Sequence, residues 1–230
     1  MGRVLENKRL KQKALLESAF DLFTKKGINN TSVSDIANNA MLAKGTFYLY
    51  YKDKYSIRDS LIAIECAKTF RQAAEKIHIL KEDHFEDVIV KMVNVIIEQF
   101  EEHPNKLKFI SKNLSWGIFQ NLHVEADNAV IREMIAKDDD PVNGIVPDKQ
   151  FADDERFVIS PMMFFNGLIK DSGRRFRKPE LMIYMIVELV SSTCYSVILD
   201  HDPADIGELK PELDTAIIDI IRQFEIKEPA

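Results

Sequence analysis

Apolar residues recur at helical spacing along most of the chain, and no stretch alternates apolar and polar positions as a strand would. Leu15, Ala19, Leu22 and Phe23 follow the 3.6-residue period and predict a first helix over 7–26, ended by Gly27 as a left-handed cap. Ser32 with Asp35 three residues later resembles a capping box, Asp standing in for Glu or Gln, and opens a short helix over 33–40. Met41-Leu42-Ala43 breaks that pattern. A second short helix covers 44–50, and Asp53 is placed to cap a long helix over 54–79. Further helices are predicted over 83–102, 104–121 (Pro104 at its start), 123–137, 154–172, 179–199 and 210–225. Residues 138–152 combine acids, prolines and a glycine and predict a loop. The expected class is all-α, with a three-helix head over 1–53 and a larger helical domain over 54–230.

Composition agrees. Apolar residues make up 46% of 230, enough for a sizeable core, while 8 Gly and 8 Pro leave few strand-and-turn units. The charge is divided. Residues 1–60 hold 11 Lys/Arg against 6 Asp/Glu, and the net −6 of the whole then leaves −11 on the remainder. A basic head on an acidic body points to a polyanion at the head. Cys66 and Cys194 have no spacing logic for a disulfide or zinc site and read as small buried residues. The opening M-G-R-V-L-E-N-K-R lacks the apolar segment of a signal peptide, so a cytoplasmic protein is expected. Residues 181–199 approach the length of a membrane span, but Glu188 near the middle is costly in lipid, and a helix buried on most sides inside protein is expected.

The chemistry concentrates in A-K-G-T-F-Y-L-Y-Y-K-D-K, residues 43–54. Two short helices joined by three residues make a helix-turn-helix, whose second helix presents its N-terminal residues to base edges in the major groove. Here that end is Lys44-Gly45-Thr46. Lys44 suits a guanine edge or a phosphate, Gly45 lets the backbone approach, and Thr46 offers a hydroxyl and a methyl. Phe47 is best placed inward. Tyr48 and Tyr50 can reach phosphates, Leu49 a thymine methyl. Lys54, at the start of the long helix, and Ser34, on the first helix of the unit, are expected at further phosphates.

T-S-V-S-D-I-A-N-N-A-M-L-A-K-G-T-F-Y-L-Y-Y-K-D-K resembles the DNA-binding signature of the tetracycline-repressor (TetR) family, over roughly residues 10–60. The resemblance implies an all-helical homodimer with a three-helix head and a C-terminal domain that binds a small ligand and dimerises. It implies DNA contacts at Ser34, Lys44, Gly45, Thr46, Tyr48, Leu49, Tyr50 and Lys54. The sequence departs from the family pattern at Met41, where glycine is usual and a left-handed residue costs about 1–2 kcal/mol. It departs again at Ala43, which removes a hydroxyl N-cap.

A palindromic operator needs two heads and hence a dimer. Leu181, Tyr184, Met185, Glu188, Leu189, Ser192 and Tyr195 make one stripe over 179–199, and Leu213, Ile217, Ile220, Ile221 and Phe224 another over 210–225. Paired across a two-fold axis they would form a four-helix bundle, though either stripe also suits an intramolecular core. Aromatic and methionine side chains in the middle helices suit a cavity for a mostly apolar or aromatic effector. Phe109, Trp116, Phe119, Met134 and Met163 are its candidate walls, with Phe157, Met162, Phe164 and Phe165 in the same aromatic and methionine set, and Asn113, Asn166 and Tyr184 are polar anchors.

Five scattered histidines and no nucleophile, zinc-protease or phosphate-loop motif predict no catalytic residues, no metal and no cofactor. The expected function is a ligand-responsive repressor acting on double-stranded DNA. The alternatives are a helical adaptor with a degenerate head and a small helical enzyme.

Overall fold

The computed structural model describes residues 2–77, 84–114, 130, 134 and 161–226. The expected helix over 123–137 and loop over 138–152 lie outside these, apart from Val130 and Met134. The described elements run α1 (Gly2–Lys26), α2 (Val33–Asn39), α3 (Lys44–Phe47), α4 (Lys54–Lys76), α5 (Phe85–Glu102), α6 (Pro104–Ile110), a 3₁₀ turn (Ser111–Asn113), α7 (Pro161–Asp171), α8 (Pro179–Tyr195), a π turn (Ser196–Asp200) and α9 (Ile206–Phe224). Among the described residues the only β-pairing is an isolated antiparallel bridge between Phe176 and Glu225.

The head closes around Leu15 and Ala19, which the 3.6-residue period marks, and around further apolar side chains. Leu15, Leu16 and Ala19 of α1 are fully buried with Ile36 of α2, Phe47 of α3 and Ile57 of α4. Gly27, at φ 81, ends α1. Ser32 and Asp35 form the expected capping box on α2, Ser32 Oγ accepting from Asp35 N at 3.1 Å and Asp35 Oδ2 from Ser32 N at 2.9 Å. Ser18 of α1 donates to Ile36 O at 2.7 Å and accepts from Asn39 Nδ2 at 3.1 Å, so a buried polar link fixes α1 against α2. Helix α3 stops at Phe47, three residues short of expectation. Leu49 N and Tyr50 N bond back only three residues, to Thr46 O and Phe47 O, because the chain must turn to bury Tyr51 and bring Asp53 to the start of α4. There Asp53 Oδ1 accepts from Tyr55 N at 2.9 Å and Ser56 N at 2.8 Å.

Met41 occupies the left-handed position at φ 56 with 93% of its surface exposed. Met41 N bonds to Asn38 O and Leu42 N to Ala37 O, the paired bonds that close a helix through a left-handed residue. Backbone strain is therefore present without compensating side-chain burial. Met41→Gly is expected to stabilise the chain by about 1 kcal/mol, a rise in Tm of about 2–4 °C in a thermal melt.

In the body, α4 and α5 run antiparallel, as do α5 and α9. Lys210 near the start of α9 reaches Glu101 near the end of α5, and Asn94 bonds Asp214 at 3.0 Å. Helix α9 starts four residues earlier than expected. Asp205 caps it by accepting from Glu208 N at 3.0 Å, and Pro211 is carried inside the helix rather than at its start. Pro179–Asp200 is the one described segment long and apolar enough to cross a membrane, yet only 44% of its most apolar stretch is buried. Contrary to the expectation of burial on most sides, one face carrying Leu181, Tyr184 and Met185 stands exposed. The α9 stripe is used differently. Leu213, Ile217, Ile221 and Phe224 are buried within the protomer, and of that set only Ile220 remains partly open.

Candidate functional site

The recognition segment stands clear of the body. Lys44, Gly45, Tyr48 and Leu49 are exposed, Tyr48 at 53% and Leu49 at 77%, while Thr46, Tyr50 and Ser34 are half-buried. Phe47 is fully buried and stacks edge-on against Tyr48, which fixes the outward ring. A Cβ added to Gly45 would meet nothing within 4 Å, so the fold itself does not require glycine there. Ala43 supplies no side-chain cap, and the first N–H groups of α3 lack that partner. Partial burial pushes the Tyr50 phenol up, so it keeps its proton as a donor at neutral pH.

The surroundings hold this segment in place. Asp35 accepts from the Ser32 backbone and from Lys26 Nζ at 3.0 Å, and these bonds hold its carboxyl down at about 2. The cap therefore stays ionised throughout the physiological range. Lys54 is arranged differently from the free phosphate contact expected of it. Its Nζ donates to Ile28 O at 2.8 Å, Thr31 O at 3.1 Å and Asn29 O at 3.4 Å, clamping the α1–α2 turn to the start of α4. Sequence spacing could not reveal this, because the acceptors are backbone atoms 23 to 26 residues away.

Within the body lies a cavity of about 50 Å³. Cys66, Thr69 and Phe70 of α4 form one wall, Ile89, Met92, Val93 and Ile96 of α5 a second, and Ile183, Ile186, Val187 and Val190 of α8 a third, with Leu114 and Phe165 completing it. The lining is apolar apart from two neutral groups. Burial pushes the Cys66 thiol far up, and the Thr69 hydroxyl donates to Glu65 O at 2.8 Å.

Of the expected aromatic and methionine walls, Phe165 is among the described lining, and the other described candidates lie elsewhere. Phe109 is buried against α1, stacking on Phe23 at 6.2 Å and meeting Phe20 edge-on at 5.6 Å. Asn113 lies half-buried in the 3₁₀ turn, Met134 is buried, and Asn166 and Tyr184 are exposed, Tyr184 on the outer face of α8. Trp116, Phe119 and the side chain of Met163 lie outside the described residues. The aliphatic walls were missed because aromatic and methionine positions were favoured. The signal that finds them is the run Ile183, Ile186, Val187, Val190 at helical spacing beside the exposed face of α8.

Three contacts connect cavity and head. The turn after α6 is tied to α8 by Ser191 Oγ donating to Ser111 O at 2.6 Å. Lys106 of α6 reaches the buried Glu65 of α4 at 3.5 Å. Phe109 of α6 joins the aromatic pair of α1.

Residues 15–61 match the model for bacterial regulatory proteins of the tetR family. Over 108 residues the chain is 34% identical to an uncharacterized HTH-type transcriptional regulator, YuxN, of Bacillus subtilis (strain 168), covering 46% of this chain and 35% of that protein. It is 26% identical over 118 residues to the fatty acid metabolism regulator protein of the same organism, covering 47% of this chain and 61% of the other. The chain thus spans between about a third and three fifths of these relatives' lengths. In fold it is similar to a TetR transcriptional regulator from Rhodococcus sp. RHA1, with a TM-score of 0.55, 12% identity and coverage of 94% of this chain and 97% of that one. It is also similar to the transcriptional regulator FadR from Bacillus subtilis, solved in complex with stearoyl-CoA, with a TM-score of 0.53, 16% identity and coverage of 90% and 98%. The helix-turn-helix head, over residues 15–61, thus matches the tetR family of bacterial regulatory proteins, and the all-helical body shares the fold of solved regulators of that family.

Proposed function

We propose that this chain is a ligand-responsive DNA-binding transcriptional regulator, a repressor released from a palindromic operator by a small apolar effector. The observation that carries the DNA half is the exposure of Lys44, Gly45, Tyr48 and Leu49 on a short helix anchored from behind by the fully buried Phe47. Lys44 and Thr46 read bases, with Leu49 at a thymine methyl; Tyr48, Tyr50 and Ser34 position on phosphates. The adaptor alternative leaves that exposed set without a task. An enzyme is disfavoured by the match of the head to a regulator family and by a cavity whose lining groups are neutral.

The dimer forms through the outer face of α8. Leu181, Tyr184 and Met185 are exposed apolar residues on consecutive turns. A two-fold axis would place that face against itself, with Ile220 of α9 at its edge and the two heads projecting from one side.

The effector enters between α4, α5 and α8. A site for a drug-sized ligand needs about 300–1,000 Å³, whereas this cavity measures about 50 Å³. Occupancy and helix separation are therefore the same event. Motion of α4 carries directly to the Lys54 clamp, and motion at Leu114 carries through α6 and Phe109 to α1. The effector must favour the low-affinity shape, or it shifts nothing. The stearoyl-CoA in the FadR structure fits the hydrocarbon character of the walls.

A gel-shift titration on DNA flanking the chain's own gene tests this. A complex with two half-sites is expected, weakening steeply with salt as phosphate contacts demand and dissolving when dodecanoate or lauroyl-CoA is added. Failure to shift any flanking duplex at low salt would refute the DNA half. A shift indifferent to both amphiphiles would refute the effector class.

A further inference from the structure

The connection between α7 and α8 carries Lys170, Arg174, Arg175, Arg177 and Lys178 within nine residues, against the single acid Asp171, on a domain that is otherwise acidic. It lies at the end of the body remote from the head. Arg174 reaches Glu86 at the start of α5 and Glu225 just past the end of α9, and Phe176 stacks on Phe85 at 5.1 Å. Arg174 is thus committed to two carboxylates. Lys170, Arg175, Arg177 and Lys178 are exposed and form no ion pair among the described residues, although the Arg177 guanidinium lies over the Phe224 ring at 5.3 Å. Lys178 sits at the N-cap of α8 with φ 49 and makes no capping bond, so its charge adds to the positive end of the helix dipole. The one acid in the first turn of α8 is Glu180. Like charges gathered this way repel one another unless an anion joins them.

The cavity ends close by. Ile89 of its lining lies four residues beyond Phe85, about 6 Å along α5, and Ile183 lies five residues beyond Lys178, about 7–8 Å along α8. The cavity walls suit a hydrocarbon tail and offer nothing to a polar group, which would be costly to bury there. We propose that Lys170, Arg175, Arg177 and Lys178 form the headgroup site of an anionic single-chain amphiphile, carboxylate or phosphate, whose tail fills the cavity. This rests on the effector cavity proposed above. The tail supplies the force that parts α4, α5 and α8, and the cations select anionic ligands over neutral ones of equal length.

The test is calorimetric titration of the full chain with dodecanoate, lauroyl-CoA and 1-dodecanol. In the double variant R175A/K178A, both at exposed positions, dodecanoate is expected to bind about tenfold more weakly, with 1-dodecanol unchanged. Charge reversal, R175E/K178E, is expected to reach about a hundredfold. A loss seen with lauroyl-CoA alone would assign the site to phosphate, and a loss with both to anions generally. Unchanged affinity for both anions in the reversed variant, or no binding of either by the unmodified chain, overturns the proposal. Val93→Trp fills the cavity from α5 and Ile186→Trp fills it from α8. Each is expected to abolish binding of all three probes while a thermal melt confirms folding. Retained 1-dodecanol binding in a folded cavity variant would refute the cavity itself, an outcome separate from failure of the headgroup site.

Discussion

Gly45→Ala is expected to make the free protein more stable and the DNA complex weaker. The glycine sits inside α3 without a positive φ, and its added methyl would meet no atom within 4 Å. In the free chain the change removes the helix penalty of glycine, about 1 kcal/mol, so Tm should rise by about 2–4 °C. In the proposed DNA complex the same methyl projects from the surface that faces the groove. Forcing it into a close-packed contact costs about 1–3 kcal/mol, roughly a five- to two-hundredfold loss of operator affinity in a gel shift. Two opposite signs from one methyl group separate recognition from folding in a way that Lys44→Ala cannot, because loss of a lysine charge weakens any polyanion contact. Should the alanine variant bind operator as tightly as the parent, close backbone approach at Gly45 would be excluded and the segment's orientation would need revision.

Much of this architecture is legible in the sequence because its causes are local. Gly27, the Ser32–Asp35 box and the Asp53 cap each act within three or four residues, and each appears where the spacing places it. Met41 is legible too, since a three-residue helix-turn-helix connection demands a left-handed backbone whatever side chain occupies it. The departures arise where distant atoms decide. Lys54 reads as a phosphate ligand from its place at a helix start, but three backbone carbonyls on the α1–α2 turn take its ammonium. Phe109 reads as a cavity wall because it is aromatic and central in the chain. In fact α6 folds back beneath α1, and the ring completes a junction between head and body. The α9 stripe illustrates a further ambiguity. An apolar face has the same periodicity whether its partner is the same chain or another copy. Only the fold shows that α9 covers α5 and α8 while α8 leaves Tyr184 and Met185 uncovered.

The far end of the body depends on one guanidinium, and Arg174→Ala is expected to destabilise the chain by about 3 kcal/mol. Arg174 donates to Glu225 at 2.6 Å and to Glu86, and lies over Phe176 at 5.1 Å and Phe85 at 5.8 Å. The three charged side chains are only 14–24% exposed, so water compensates little for its loss. Its removal would take the shared cation from Glu86 and Glu225 and the guanidinium from the rings of Phe85 and Phe176, leaving the corner to the stacking of those rings and its backbone pairing. Partial burial pushes Glu86 up, but the hydrogen bond and charge of Arg174 outweigh it and hold the carboxyl below its ordinary 4.5. A depressed acid stabilises the fold above its unfolded value, and that contribution fades as pH falls through the folded value. In the variant Glu86 loses the hydrogen bond and charge that hold its carboxyl down, so the ionised form is favoured less in the folded chain. Chemical denaturation at pH 7 should therefore show the full difference between parent and variant, and below about pH 4.5 the two curves should converge. A gap that stays constant across that range would mean that Arg174 acts through ring packing alone, and the ion-pair account of this corner would fall.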